Sequence, residues 1–260
     1  MDPRVLKELK CEIAELLTVV CNLSFKSASV PNDWRIAIVT PIFKKGSRSN
    51  PGNYRPVSLT SVPGKLVETI VNRIIRHIDE YGILGKSQHG FCKGKSCLIN
   101  LLKFFVGVNQ HVDKGDLVDR VYLDFQKDFD KVPHQRLLSK VSCDGIRGNF
   151  LSWISNWLNY RKQRVGINGQ FSERRQENSG VPQGSVLGPV LFKIFINYLE
   201  KGVNSEVAKF ADDTKPPKTV KFKADCEELQ RDLTKLGDWG TKWQMKFNVD
   251  KFKVMHIGKH

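Results

Sequence analysis

Asp212 and Asp213 are adjacent carboxylates in the sequence FADD, between an apolar run and a strongly basic segment. Carboxylates this close repel each other unless cations neutralise them, so the pair indicates a divalent metal. A third carboxylate, Asp124, lies in the sequence VYLDF. There, a strand with period-two alternation would place Asp124 on the face opposite Leu123 and Phe125. The chain is therefore expected to present carboxylates on two strands.

Two acidic strands can share two metal ions. In such a site the ions lie roughly 3.5 to 4 Å apart, and they assist the attacking and the leaving oxygen of an in-line phosphoryl transfer. This is the chemistry of polymerases and nucleases. Aspartate is also common in turns, so the Asp pair taken alone is better explained as part of a hairpin turn.

The composition favours a polyanionic partner. Lys and Arg number 42 against 27 Asp and Glu, which gives a net charge of +15 in a chain of 260 residues. Basic residues recur beside glycine and aromatic residues, as in the sequence FKKG at residues 43–46, and surfaces that follow a phosphate backbone use this combination. Nucleic acid is the expected partner, and a basic surface that only confers solubility is the alternative.

The cysteines and the N-terminal segment indicate an intracellular protein, in the nucleus or the cytoplasm. The six cysteines are scattered without a CxxC pair or zinc-type spacing, which is typical of reduced thiols. Charged residues interrupt the first 25 positions, so a signal-peptide core is not expected. No run of about 20 apolar residues predicts membrane insertion.

Hydrophobic periodicity predicts a mixed α+β fold with helices against an antiparallel sheet. The clearest apolar helical stripe is formed by Leu66, Ile70, Ile74 and Ile78, with Val67, Val71 and Ile75 alongside, and it is expected in the core. Asn168-Gly169 predicts a type I′ hairpin turn. The predicted helices cover residues 5–20, 66–78, about 96–112, 153–158, 190–199 and about 224–243, and the predicted strands cover 35–43, the surroundings of Asp124, and 253–257.

Three motifs stand in a fixed order: LDFQKDFD, SGVPQGSVLGP and FADD. In this order they closely resemble the reverse transcriptase of non-LTR (LINE-type) retrotransposons, particularly the jockey-like and chicken-repeat-like groups. The similarity extends over nearly the whole chain, through segments such as GKLVETIVNRI, SQHGFCKGKSC and WQMKFNVDKFKVMHIGK. The resemblance implies a right-hand polymerase with fingers and an antiparallel palm sheet, acting in RNA-templated DNA synthesis. The implied partners are an RNA template, a DNA primer and deoxynucleoside triphosphates.

The resemblance also implies a role for individual residues. Asp124, Asp212 and Asp213 match the family's ligands of Mg²⁺, for which Mn²⁺ is an alternative, and Lys251 matches a lysine that protonates departing pyrophosphate. The implied nucleotide-binding residues are Arg55 and Lys65 at the triphosphate, Phe129 as a steric gate against a ribose 2′-hydroxyl, and Gln183 and Gly184 in the loop that contacts nucleotide and template base. Residues 1–115 would form an N-terminal helix and fingers, and residues 116–260 the palm, with the nucleotide-binding loop and helix at 178–200.

The chain departs from the family pattern at several positions. Asp128 replaces the usual alanine and places an acid where triphosphate should bind, and Cys92 replaces a usual arginine. Pro216 and Pro217 are expected to shorten the strand after the acidic pair, and Tyr198 replaces a usual aspartate. From the chain ends, no endonuclease and no complete thumb are expected. These departures predict weakened catalysis, and the competing hypothesis is a non-catalytic nucleic-acid-binding remnant.

Overall fold

The computed structural model describes residues 3–80, 96–204, 208–210, 213–215, 217–220 and 223–258. The helices are α1 Pro3–Glu8, α2 Lys10–Lys26, α3 Val62–Glu80, α4 Cys97–Val112, α5 Asp128–Lys131, α6 His134–Cys143, α7 Gly148–Leu158, α8 Gly188–Ile196 and α9 Lys223–Trp243. The strands are β1 Ile36–Phe43, β2 Tyr54–Leu59, β3 Leu117–Tyr122, β4 Lys162–Ile167, β5 Gln170–Phe171, β6 Arg175–Gln176, β7 Ala208–Phe210, β8 Asp213–Lys215, β9 Pro217–Val220 and β10 Lys253–Ile257.

These elements form two compact units, each made from two separate stretches of the chain. The first unit contains the described residues of 1–81 and 133–191, and the second contains those of 82–132 and 192–260. Both units therefore cross the boundary expected at residue 115, and the division into fingers and palm stays a prediction.

The sheet of the first unit is mixed. Its strand order is β2-β1-β4-β5, with β6 also paired to β4. β1 runs antiparallel to β2 and parallel to β4, because a long crossover through other elements separates β1 from β4. The parallel pairing ends at Val39, and Pro41 follows it. Proline is tolerated there because a strand that has lost one neighbour needs fewer backbone donors.

The sheet of the second unit is antiparallel, with the order β10-β3-β9. β3 is its central strand, and it leads directly into Asp124. β7 and β8 form a separate antiparallel pair in which Phe210 lies opposite Asp213. β8 contains Asp213–Lys215 and β9 contains Pro217–Val220, and the predicted effect of the prolines on the return strand stays a prediction. Pro216 and Cys92 lie outside the described residues.

Helix α3 corrects the expected orientation of its apolar stripe. Val67 and Val71 are buried, but Leu66 and Ile70 are about half exposed. The buried face of the described turns also includes Glu68 and Asn72. Periodicity locates the helix, but in its described turns the apolar arc is wider than its contact with the rest of the unit, so part of that arc remains outside the core. The side chains of Ile74, Ile75 and Ile78 lie outside the described residues.

The predicted hairpin turn is confirmed. Asn168 and Gly169 have φ angles of 49° and 80°, and they join β4 to β5 in the antiparallel turn that their sequence indicates. No helix of the described residues is long and apolar enough to cross a membrane.

Candidate active site

The Asp124 carboxylate lies immediately beyond the end of β3. Its neighbours Leu123 and Phe125 are buried, whereas its own side chain is 16% exposed. The predicted alternation is therefore confirmed. The apolar neighbours anchor this stretch in the core, and the carboxylate remains accessible.

A second chain segment pairs with the residues around Asp124. The amide of Gln126 donates to the carbonyl of Lys246, and the amide of Asn248 donates to the carbonyl of Asp124, both at 2.8 Å. Between these bonds, the rings of Phe125 and Phe247 stack with centroids 4.4 Å apart. Backbone pairing and ring stacking together fix this segment beside Asp124.

Lys251 follows that segment and forms an ion pair with Asp124. Its Nζ donates to Oδ2 of the carboxylate, and its side chain remains 63% exposed. The amide of Lys251 donates to the carbonyl of Asn248 in a short 3-10 turn, which directs the chain back toward β10. Two residues assigned separately by their motifs are thus in direct contact.

The other two predicted metal ligands are described only in part. Asp212 and the side chain of Asp213 lie outside the described residues, whereas the backbone of Asp213 begins β8. Within the described part of the chain, no group of three or more His, Cys, Asp or Glu residues is arranged to hold a metal ion.

Phe129 lies on the short helix α5 and packs against Phe192. The two rings stack with centroids 4.7 Å apart and planes 18° apart. Asp128 begins the same helix. The gate role of Phe129 stays a prediction.

The loop containing Gln183 and Gly184 is attached to β2. The amide of Ser58 donates to the carbonyl of Gln183 at 2.6 Å. Gly184 has a φ of 104°, and a Cβ at this position would lie 2.7 Å from the carbonyl oxygen of Ser58. A glycine is therefore required both by its backbone conformation and by the close approach of β2.

The same loop is attached to α3 at its other end. One carboxylate oxygen of Glu68, Oε2, accepts the amides of Val186 and Leu187 at 2.6 and 3.2 Å. Ser185 bonds the carbonyl of Pro182 and the amide of Gly188 through its hydroxyl, both at 2.9 Å. These bonds satisfy backbone donors at the start of α8 that have no partner within the helix.

A buried charged cluster lies nearby in the same unit. Arg161 donates from Nε to Glu177 at 3.2 Å and lies over the ring of Trp157. His134 hydrogen-bonds the carbonyl of Gly180 at 2.7 Å, at the start of the loop. Burial lowers the pKa of His134, so the neutral ring is favoured and its Nε2–H is the donor.

Arg55 and Lys65 lie on the elements that hold the loop. Arg55 is exposed on β2, three residues before Ser58, and Lys65 is half-buried on α3, three residues before Glu68. The first unit therefore contains Arg55, Lys65, Gln183 and Gly184. The second unit contains Asp124, Phe129 and Lys251.

The family model described as reverse transcriptase (RNA-dependent DNA polymerase) matches residues 42–259. The chain belongs to the reverse transcriptase family. The resemblance drawn from the three motifs is thereby confirmed.

Two curated relatives of this reverse transcriptase chain come from mobile elements of Drosophila melanogaster. It is 29% identical to "Probable RNA-directed DNA polymerase from transposon BS" over 95% of its length. It is 27% identical to the RNA-directed DNA polymerase from mobile element jockey over 96% of its length. The chain spans 28% of the length of each of these relatives.

Solved structures support the right-hand polymerase fold. Apo telomerase from Candida tropicalis, truncated from its C-terminal domain, matches with a TM-score of 0.64 and 12% identity, over 95% of this chain and 56% of that one. Telomerase from Candida albicans, in complex with an RNA fragment, matches with a TM-score of 0.60 and 12% identity, over 87% and 43%. At this identity the similarity concerns the fold alone.

Sequence reasoning missed several residues that hold the loop of this reverse transcriptase chain. They are Ser58, Glu68, His134 and Ser185. One signal was present: Glu68 lies within the apolar stripe of α3, where an acid is unexpected unless it has a partner. The identity of that partner, more than 100 positions away, was not accessible from the stripe.

Proposed function

We propose that this chain catalyses RNA-templated DNA synthesis, extending a DNA primer with deoxynucleoside triphosphates. Family membership supports this reaction, and the contact between Asp124 and Lys251 is the observation that carries it. It brings together an accessible carboxylate, suited to hold a metal, and a primary amine, suited to give a proton to a phosphate oxygen.

We assign metal binding to Asp124 together with Asp212 and Asp213. Carboxylate oxygens are ligands that Mg²⁺ prefers, and Mn²⁺ accepts the same set. The Asp124 carboxylate is partly exposed beyond the end of β3, and three carboxylates supply the donor chemistry that such an ion takes. When bound, the ion would neutralise charge on the reacting phosphate oxygens.

The reaction is the displacement of pyrophosphate from the nucleotide by the primer. The 3′-hydroxyl oxygen of the primer bonds to the α-phosphorus of the nucleotide, and the bond from that phosphorus to the bridging oxygen breaks. The hydroxyl proton leaves to solvent, and pyrophosphate departs. Lys251 donates a proton from Nζ to the departing pyrophosphate, which makes it a better leaving group.

We assign nucleotide recognition to Arg55, Lys65, Phe129, Gln183 and Gly184. Arg55 and Lys65 offer fixed positive charge to the triphosphate, since guanidinium and ammonium groups bind phosphate oxygens strongly. Gln183 and Gly184 provide the loop that contacts the nucleotide and the template base. Phe129 excludes a ribose 2′-hydroxyl through the bulk of its ring. The net charge of +15 supports binding of the template backbone, which should weaken as salt is added.

A primer-extension assay with purified protein, an RNA template, a DNA primer, deoxynucleotides and Mg²⁺ tests the proposal. Incorporation by the natural chain and its loss in Asp124→Asn are expected. Equal incorporation by the two proteins would remove Asp124 from the reaction. Salt-sensitive template binding without any incorporation would instead favour a non-catalytic binding protein.

A further inference from the structure

Glu68 is a fully buried carboxylate that joins two distant parts of the chain. It lies on α3, and its Oε2 accepts the amides of Val186 and Leu187, 118 and 119 positions away. Those amides directly precede α8 and directly follow the loop of Gln183 and Gly184. A single oxygen atom thus holds the end of the loop.

The environment of Glu68 is unfavourable for a carboxylate except for these bonds. Burial raises its pKa, while the amides of Val186 and Leu187 and the nearby charge of Arg161 favour the ionised form. The second oxygen, Oε1, is buried without a hydrogen bond that meets normal geometry from the described residues. The presence of a carboxylate in this buried environment is explained by the two backbone amides, of Val186 and Leu187, whose hydrogen bonds it accepts.

The opposite end of the loop is held as closely. Ser58 donates its amide to Gln183, and the space between Gly184 and the Ser58 carbonyl excludes even a methyl group. The loop is therefore restrained at β2 through Gln183 and Gly184, and at α3 through the bonds of Glu68 to Val186 and Leu187.

We propose that Glu68 is a positioning residue that holds the loop of Gln183 and Gly184 in the conformation that receives the incoming nucleotide. It acts through the backbone of Val186 and Leu187 and does not touch the nucleotide itself. This inference rests on the proposed function, because it needs the loop to bind a nucleotide. Lys65 lies one helical turn before Glu68, so the same helix presents a triphosphate contact and restrains the loop.

Two substitutions of similar volume separate the hydrogen bonds from the packing. Glu68→Gln keeps a carbonyl oxygen where Oε2 lies, so both amides retain an acceptor. Glu68→Met fills the space but leaves both amides without one. Glu68→Asp retains the charge, withdraws the acceptor by one methylene, and serves as the second variant if Glu68→Met does not fold. Glu227→Gln, at an exposed position on α9, controls for loss of a negative charge.

Two measurements are made on each purified variant. Hydrogen exchange at the amides of residues 186 and 187 reports the attachment directly and does not depend on activity. Steady-state primer extension gives kcat and the KM for the deoxynucleotide separately. For Glu68→Met we expect faster exchange at both amides and a KM raised about tenfold or more, with kcat less affected. Glu68→Gln should remain within about threefold of the natural chain in KM.

A higher KM in Glu68→Met or Glu68→Asp, with Glu68→Gln close to the natural chain, would support the proposal. Faster exchange with an unchanged KM would overturn it, because the bonds would then serve stability alone. An equal rise in the KM for the deoxynucleotide in Glu68→Gln and Glu68→Met would also overturn the proposal. The primer-extension assay of the natural chain keeps the proposed function separate: if the natural chain incorporates no nucleotide, the proposed function fails, whereas the exchange data still report the attachment of the loop.

Discussion

Lys251 and Asp124 form an ion pair although 127 positions separate them in the chain. The pairing depends on the segment from Lys246 to Asn248, which bonds to the backbone around Asp124, and on the stacked rings of Phe125 and Phe247. An apolar contact thereby determines the position of a polar one. The following predictions test this site and the loop of the other unit.

Asp124→Asn should reduce nucleotide incorporation by about a thousandfold, equivalent to about 4 kcal/mol of transition-state free energy. The amide is nearly the same size but lacks the negative charge that a metal ligand supplies. Primer extension measures the effect. Asp119→Asn is the matched control, since Asp119 lies on β3 but pairs with His256 at 2.6 Å. Comparable losses in both variants would point to a general defect of the strand.

Lys251→Ala should lower kcat by about a hundredfold or more if Nζ protonates the departing pyrophosphate. The free energy of unfolding should fall by no more than about 1 kcal/mol, because the lysine side chain is largely exposed. Single-turnover incorporation and urea unfolding give the two quantities. Lys253 lies two residues further along the chain and is exposed on β10, so Lys253→Ala is expected to change neither kcat nor the free energy of unfolding. A large loss of stability with normal chemistry would make Lys251 structural.

Phe129→Val should increase the use of ribonucleotides relative to deoxynucleotides, because a smaller side chain admits a 2′-hydroxyl. Losing the stack on Phe192 should also cost about 0.5–1.5 kcal/mol of stability beyond the area exposed. Competition between the two nucleotide classes measures the first effect. Phe104→Val, at a half-buried ring that contacts Arg120, is the control. Unchanged discrimination in Phe129→Val would leave the ring with a packing role only.

Gly184→Ala should destabilise the chain and raise the KM for the nucleotide, because its Cβ would lie 2.7 Å from the carbonyl oxygen of Ser58. The comparison is Gly169→Ala, where φ is also positive but no atom lies within 4 Å of the added carbon. Both substitutions incur backbone strain of about 1–2 kcal/mol, so the excess in Gly184→Ala reports the contact with β2. Equal unfolding free energies for the two variants would contradict that contact.

Stability should fall at acidic pH through His134. Burial lowers the pKa of His134 below its usual 6.5, so the folded chain binds this proton less readily than the unfolded chain. The stability that neutral His134 contributes is fully present above pH 6.5, and it is lost as the pH falls through the lowered pKa of the folded chain. Urea unfolding across this range measures it. His134→Gln retains a donor for the carbonyl of Gly180 but does not titrate, so the free energy of unfolding should depend less on pH in this variant. An unchanged pH dependence would show that other groups cause it.

Much of the local structure was accessible from sequence. The alternation around Asp124, the turn at Asn168-Gly169 and the strand Lys253–Ile257 are all present as predicted. Each depends on neighbours a few positions away, which is the range over which side-chain periodicity and turn preferences act. The motif order also indicated the family, since it belongs to the linear sequence.

Only the tertiary structure decided which face of α3 is buried and what Glu68 holds. Leu66 and Val67 are both apolar, and no local rule distinguishes the exposed residue from the buried one. The contacts of Glu68 with Val186, and of Lys251 with Asp124, join positions more than 100 residues apart. Such contacts arise from the packing of whole elements, which periodicity does not encode. The sequence by itself determined which chemical groups are present and the local elements that carry them, and packing decided which of them meet.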